Sequence, residues 1–256
     1  GGIRHNKVVI TQTAPPTPSN ASRAARAFAD AFHSGRSLVY IRTPEEERVG
    51  RILAEAGGGL LDEPVPVWSW SLTRGLWRAD GVVEAGTGSP EGVLAFTAAH
   101  EGPGIFQLRD FHEPMRESPA VRRWLRDLYE LCRGRRKYIV VTSPVRAVPA
   151  ELDRAVLYME LRPPDLTEIV SFLRDETREL PSPPGDELLR TLAPALQGLT
   201  LDETRYALRR ALAAGGGLSE ASWQTLLEEK RMLVNRGGVL EFISTPTTMD
   251  IIGGLD

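Results

Sequence analysis

Five short apolar runs recur at residues 37–41, 65–70, 104–111, 137–143 and 156–161, separated by segments of helical period. That alternation admits few folds. Parallel neighbours need crossover connections, and helical crossovers cover the sheet faces, so the pattern predicts a mainly parallel five-stranded sheet between helices. The run Lys-Tyr-Ile-Val-Val-Thr-Ser at 137–143 is the richest in β-branched residues and reads as the central strand. Pro66 suits an edge position for the second run. Residues 73–88, rich in glycine and charge, read as a loop or a hairpin.

Helical period marks the connections. Ser19 or Asn20 can cap a helix reaching about Phe32, with Ala24, Phe28 and Phe32 on one face, after a β-like piece at 8–10 and a proline-rich stretch at 13–20. Residues 91–100 form another helix, and Val121, Leu125, Leu128 and Cys132 line one face of a helix over 120–131. Past the Leu-Pro-Ser-Pro-Pro-Gly segment at 180–185 the period is purely helical, at 186–196, 201–214 and 219–235, the last with Trp223, Leu226, Leu227 and Val234 on one face.

The turn after the first strand is the most informative. Thr43-Pro44-Glu45-Glu46 offers a capping threonine, a proline at the first helical position and a glutamate three residues after the cap. Val49, Ile52, Leu53 and Ala56 continue the helix until glycines 57–59. Strand, tight turn and helix together are the local frame of a phosphate-binding loop, which needs glycines for close backbone approach and a lysine for charge. Here the helix opens with Glu45, Glu46 and Glu47, which favour the helix dipole and repel a polyphosphate. No G-x-x-x-x-G-K-[ST] occurs, and the only lysines are Lys7, Lys137 and Lys230.

Asp110 ends the third run, at a strand tip where ligands of open α/β sheets collect. With His112 and Glu113 it could serve a metal or an acid–base pair; as a cap beside a packed histidine it is a turn network. Three further ligands would have to come from elsewhere, so no metal is assigned. Thr142 and Ser143 end the fourth run before Pro144, where hydroxyls commonly bond local backbone. Arg122, Arg123, Arg126, Arg133, Arg135, Arg136 and Lys137 form a basic stretch that could meet nucleic acid or an acidic partner, but Asp127 and Glu130 are interleaved, as on a solvated face. Trp68, Trp70 and Trp77 are either an exposed aromatic surface or core.

The chain carries 31 Lys+Arg and 34 Asp+Glu, a net charge of -3, which argues against a dedicated nucleic-acid binder. A single cysteine, Cys132, excludes intrachain disulfides and cysteine-based metal clusters. No apolar run approaches the roughly 18 residues of a membrane span, and the N-terminus lacks the apolar core of a signal peptide. These features lead us to expect a cytoplasmic protein without membrane contact.

The order of these pieces resembles an AAA+ ATPase module, which has five strand–helix units and a small helical lid. "AVLYMELRPPDLTEIVSFL" looks like the fifth strand and following helix of that plan, and "LQGLTLDETRYALRRAL" like the middle helix of its lid. More narrowly, "LVYIRTPEEERVGRIL", "WSLTRGL", "LRDFHE", "VRRWLRDLYEL", "TSPVRAVPAEL" and "LLEEKRMLVNRGGVLEF" resemble the N-terminal half of AAA ATPases of bacteria and of a hypothetical chloroplast reading frame. The terminal "DIIGGLD" looks like the opening of the catalytic module in such proteins.

The resemblance implies a P-loop-NTPase-like three-layer fold with strand order 5-1-4-3-2. It implies an extension and first helix at 1–35, an α/β domain at 36–180, a lid at 185–236 and a linker at 237–256 leading to a catalytic module that the sequence stops short of. Asp110 then stands at the Mg-binding acid position, Thr142 and Ser143 at sensor positions, and Arg205 and Arg209 at relic sensor or inter-subunit positions. Phe111 stands where working modules place a catalytic glutamate. The expectation is a degenerate, non-catalytic regulatory or assembly module that binds no cofactor itself, with ATP and Mg held by the downstream module. Its partners would be that module, sister subunits and a protein client. Two alternatives stand beside it: a non-standard nucleotide site at Asp110 and Thr142, and a nucleic-acid-binding module using the face from Arg122 to Lys137.

Overall fold

A computed structural model describes residues 21–236. The chain divides into two compact units between Phe172 and Leu173.

In the first unit the strands are β1 (Leu38–Arg42), β2 (Val67–Ser71), β3 (Gly75–Arg78), β4 (Val83–Glu84), β5 (Gly104–Arg109), β6 (Lys137–Ser143) and β7 (Leu157–Glu160). They form one sheet in the order β4-β3-β2-β5-β6-β1-β7. The β2-β5-β6-β1-β7 portion is parallel and realises the expected 5-1-4-3-2 order, while β3 and β4 add antiparallel strands beside β2. The sheet therefore has seven strands rather than five, and 73–88 is a hairpin. Nor is the second run an edge strand. Pro66 stands just before β2, where its carbonyl accepts from Ile105 N–H at 2.9 Å, and β2 pairs on both sides.

The helices of this unit are α1 (Arg23–His33), α2 (Glu46–Gly59), α3 (Pro90–Ala99), α4 (His112–Glu117), α5 (Pro119–Cys132) and the start of α6 (Leu166–Thr177). Strand residues alternate between two apolar layers. Leu38, Tyr40, Trp70, Phe106, Leu108, Ile139 and Val141 pack with Val93 and Leu94 of α3 and Val121, Leu125 and Leu128 of α5. Val39, Ile41, Ile105 and Val140 pack with Phe28 and Phe32 of α1 and Val49, Ile52 and Leu53 of α2. Each such side chain, fully buried, contributes about 1.5–3 kcal/mol of transfer free energy. The result is the expected three-layer α/β fold.

Ser22, rather than Ser19 or Asn20, caps α1, its Oγ accepting from Ala25 N–H at 3.1 Å; the pieces at 8–10 and 13–20 lie outside the described residues. Asp165 Oδ1 accepts from Glu168 N–H at 3.0 Å and Glu168 Oε2 from Asp165 N–H at 3.2 Å, reciprocal caps that open α6.

The second unit carries the end of α6, then α7 (Asp186–Leu192) with a 3-10 turn at Ala193–Leu196, α8 (Leu201–Gly215) and α9 (Ser222–Arg236). Thr200 and Glu203 form a complete capping box at α8, and Gly216 closes the helix at φ 66°. Leu226 of α9 is buried, but Val234, expected on the same face, is exposed. The linker expected at 237–256 lies outside the described residues.

Candidate functional site

The carboxyl ends of β1, β5 and β6 stand side by side and bring together Thr43, Asp110, Thr142 and Ser143. Thr43 N–H donates to Ser143 O at 2.8 Å and Asp110 N–H to Thr142 O at 2.9 Å, so the parallel ladders run to the edge. Because Thr43 stays in that ladder, the capping box foreseen at 43–46 does not form. The helix starts at Glu46, and Thr43 Oγ1 accepts from Glu45 N–H at 3.1 Å in a local hydroxyl turn.

One turn into α2, Arg48 lies buried with 2% of its side chain exposed. Its Nε and Nη2 donate to Glu168 Oε1 and Oε2 at 2.9 and 3.1 Å, and its Nη1 donates to Glu45 Oε2 at 2.8 Å. Burial works against the guanidinium charge, but hydrogen bonding and attraction from Glu168, then Glu45, raise its pKa on balance. The glutamates at the helix start thus divide their roles. Glu45 is neutralised internally, Glu46 lies 3.7 Å from Arg109 Nη1, and Glu47 is exposed. Burial, then repulsion from Asp110, pushes the Glu46 carboxyl above its ordinary value, although Arg109 pulls it down.

Beneath this turn Gln107, fully buried in β5, ties four elements together. Its Nε2 donates to Glu46 O at 2.8 Å and Thr142 Oγ1 at 3.3 Å, and its Oε1 accepts from Ser69 Oγ at 3.1 Å. Thr142 is therefore sequestered rather than presented. Ser143 Oγ donates to Val145 O at 3.1 Å and accepts from Val145 N–H at 3.2 Å, closing the turn before Pro144.

Asp110 leaves β5 with φ 51° and an exposed side chain. His112 is buried behind it, with Nδ1 3.8 Å from Asp110 Oδ1 and Nε2 3.3 Å from Glu113 Oε1; Glu113 also pairs with Arg116. Among the described residues no group of three or more His, Cys, Asp or Glu is placed to hold a metal ion.

The basic stretch disperses. Arg122 donates to the carbonyls of Met115 and Arg116 at 3.0 Å each, Arg123 pairs with Asp127, Arg133 with Glu130, and Arg136 with Glu63. Arg126 and Arg135 are exposed. Lys137 leaves the face altogether. Its side chain is buried in the sheet, with Nζ donating to Thr97 O at 3.0 Å and Ala98 O at 3.4 Å, orphan carbonyls at the end of α3. Trp68 and Trp70 are core, and half-buried Trp77 has the guanidiniums of Arg74 and Arg109 at 4.4 and 5.1 Å from its ring. In the second unit Arg205 pairs with Glu176 at 3.1 Å and Asp202 at 2.6 Å, and Arg209 is exposed.

Arg48, Glu168 and Gln107 went unremarked in the sequence. Gln107 announces itself only as a lone amide inside an apolar run. Arg48 has a local signal, Glu45 three residues earlier, but its stronger partner lies 120 residues away.

Residues 24–161 match the N-terminal domain of SpoVK-like AAA ATPases, and residues 166–237 match the second domain of the same proteins. The chain belongs to that family. Its curated relatives include the uncharacterized AAA domain-containing protein ycf46 of Pyropia yezoensis, 25% identical over 221 residues, and of Guillardia theta, 27% identical over 221 residues. Both alignments take in 86% of this chain but only 44% and 43% of the relatives, so the chain spans less than half their length. Among solved structures, Caenorhabditis elegans PCH-2 is similar at TM-score 0.46 and 10% identity, over 85% of this chain and 67% of that one. A point variant of Thermotoga maritima RuvB is similar at TM-score 0.47 and 14% identity, over 85% and 70%.

Family membership raises the question of a nucleotide at the β1–α2 turn. The residues present there are a threonine held in the ladder, a proline, and carboxylates around a buried arginine. None supplies the glycine-rich cradle of backbone N–H groups or the lysine that a polyphosphate needs. No helix among the described residues is long and apolar enough to cross a membrane.

Proposed function

We propose that this chain is a non-catalytic regulatory or assembly module of an AAA+ ATPase. It acts on a catalytic module elsewhere in the protein, on sister subunits or on a protein client. The observation that supports this reading is the buried Arg48 ion-pair network at the strand–helix turn. Where a phosphate loop would present cationic charge to a ligand, this turn commits its buried arginine to two internal carboxylates.

The reading has two tests. Calorimetric titration with ATP and Mg²⁺, and separately with ADP, should give no saturable heat at millimolar nucleotide; micromolar binding would overturn it. In the intact protein, removing residues 1–236 should change assembly, ATPase rate or client binding. If all three stay as they were, the module has no regulatory role.

A further inference from the structure

Among the described residues β7 closes one side of the sheet and pairs only with β1. Leu161 N–H donates to Arg42 O at 3.3 Å. Alternation along the strand then turns the backbone groups of Leu157 and Met159 toward β1 and those of Tyr158 and Glu160 outward. Among the described residues nothing hydrogen-bonds the outward N–H and C=O groups of Tyr158 and Glu160. The side chains show the same open edge. Leu38–Ile41 of β1 are buried, whereas Leu157, Tyr158 and Met159 are half-buried and Glu160 is exposed. An apolar strand with a free edge is a template for a further strand.

The two faces of β7 differ in chemistry. On one face Tyr158 and Glu160 stand in register with Tyr40 and Arg42 of β1. The Arg146 guanidinium lies over the Tyr158 ring at 4.6 Å, and Arg42 meets Glu160 at 3.3 Å. The other face carries Leu157 and Met159. Exposed Arg154 and Arg162 flank the strand, so Arg42, Arg146, Arg154 and Arg162 stand against only the carboxylates of Asp153 and Glu160. We propose that this edge docks an extended acidic segment of a partner protein, added as a further strand beside β7. Its carboxylates would lie on the Tyr158 face and its apolar side chains on the face of Leu157 and Met159. A second copy of the chain fits poorly. Antiparallel pairing about Tyr158 or Met159 sets Arg162 of each copy opposite or beside Arg154 of the other, and pairing about Glu160 opposes two carboxylates.

The test is fluorescence anisotropy of a labelled, end-blocked peptide of alternating glutamate and valine, titrated with the full chain. The same peptide with lysine for glutamate is the control. The expected result is binding about tenfold tighter for the glutamate peptide, weakening with added salt. Glu160→Pro removes one outward N–H and leaves the β1 ladder whole, so it should weaken binding about tenfold. Glu160→Gln keeps that N–H and should bind as well or better. Arg146→Glu combined with Arg162→Glu, both at exposed positions, should weaken binding by a similar factor even if the proline variant fails to fold. Equal affinity for the two peptides overturns the proposal, as does binding unmoved by the two arginine changes. So does a folded Glu160→Pro chain that binds like Glu160→Gln, or no binding at millimolar peptide. Dimerisation that Glu160→Pro abolishes makes the occupant a second copy, and binding that appears only after removal of residues 1–20 makes it a segment of the chain itself. Either outcome also overturns the proposal. Peptide binding at this edge and nucleotide binding at the β1–α2 turn are read by separate titrations, so each can fail alone.

Discussion

Arg48 and Glu168 meet as a bidentate pair at 2.9 and 3.1 Å, with 2% and 9% of their side chains exposed, joining the first turns of α2 and α6 across 120 residues of sequence. Breaking a buried pair from one side strands a charge. Arg48→Met removes the cation that Glu45 and Glu168 share, and the loss should be about 3–5 kcal/mol. Glu168→Leu alone leaves Arg48 with Glu45 and should cost less. Arg48→Met combined with Glu168→Leu should recover part of the loss. A urea-denaturation cycle over the single and double variants measures the coupling. A coupling near zero would mean that the network contributes nothing beyond packing.

Gln107, itself fully buried, serves one donor and two acceptors, of which Thr142 is fully buried and Ser69 and Glu46 partly so. Gln107→Met preserves shape and removes every one of those bonds, leaving Ser69 Oγ, Glu46 O and Thr142 Oγ1 to find others. We expect a loss of about 1–3 kcal/mol in the urea midpoint analysis, the range for stranding buried polar groups. A neutral outcome would show that the surrounding groups re-pair among themselves.

The contrast between these residues and the strands shows what sequence can carry. β6 was legible because every residue from Lys137 to Ser143 is buried, and burial on both faces leaves a continuous run. The α5 face was legible because 3.6-residue spacing is local. The β3–β4 hairpin is not distinguishable from a loop in sequence because strands of four and two residues are too short to show a period. At the carboxyl edge, Asp110, Thr142 and Ser143 could be placed from strand ends alone. Whether Thr142 is presented or sequestered depends on Gln107 of the neighbouring strand, which no local pattern encodes, whereas the Ser143 hydroxyl bonds local backbone as its place before Pro144 suggests. Lys137 shows the same limit: its place beside arginines in sequence hid a role in closing α3.

Gly57 lies inside α2, where alanine would ordinarily gain about 0.5–1 kcal/mol from helix entropy. A Cβ there would stand 2.5 Å from the Val65 carbonyl oxygen and 3.1 Å from the Ile105 side chain. That carbonyl belongs to backbone held by the 2.8 Å bond from Val65 N–H to Gly57 O. The clash should outweigh the entropy gain, so Gly57→Ala is expected to destabilise by about 1–3 kcal/mol, as overpacking does. Gly58, with nothing within 4 Å of its Cβ position, is the control, and Gly58→Ala should stabilise. Thermal melts of the two variants should move in opposite directions.

Glu46 gives a prediction with a pH signature. Its carboxyl is pushed above the ordinary 4.5 by burial and then by Asp110, so the folded chain holds that proton to higher pH than the unfolded chain does. Stability is therefore lost as pH rises above 4.5 through the folded value, and the ionised side chain opposes folding at neutral pH. Glu46→Gln should raise the melting temperature at about pH 7, with a difference that shrinks to nothing near pH 4. A lower melting temperature at neutral pH would mean that attraction to Arg109 outweighs both opposing causes.

Asp110, where the sequence resemblance leads one to expect a metal-binding acid, has the backbone of a turn residue, and substitution can tell the two readings apart. Its φ of 51° is a conformation that aspartate and asparagine tolerate, glycine adopts freely and β-branched residues resist. Its side chain is mostly exposed, while its N–H extends the ladder to Thr142 O and survives any non-proline substitution. If conformation is what matters, Asp110→Asn and Asp110→Gly should stay within about 0.5 kcal/mol of the parent, whereas Asp110→Val should lose about 1–2 kcal/mol. Removing the charge also relieves Glu46, which favours Asp110→Asn slightly. Chemical denaturation with and without Mg²⁺ separates the readings. A stability increment from Mg²⁺ that disappears in Asp110→Asn would show a carboxylate acting as a ligand, and the conformational account of this strand tip would then fail.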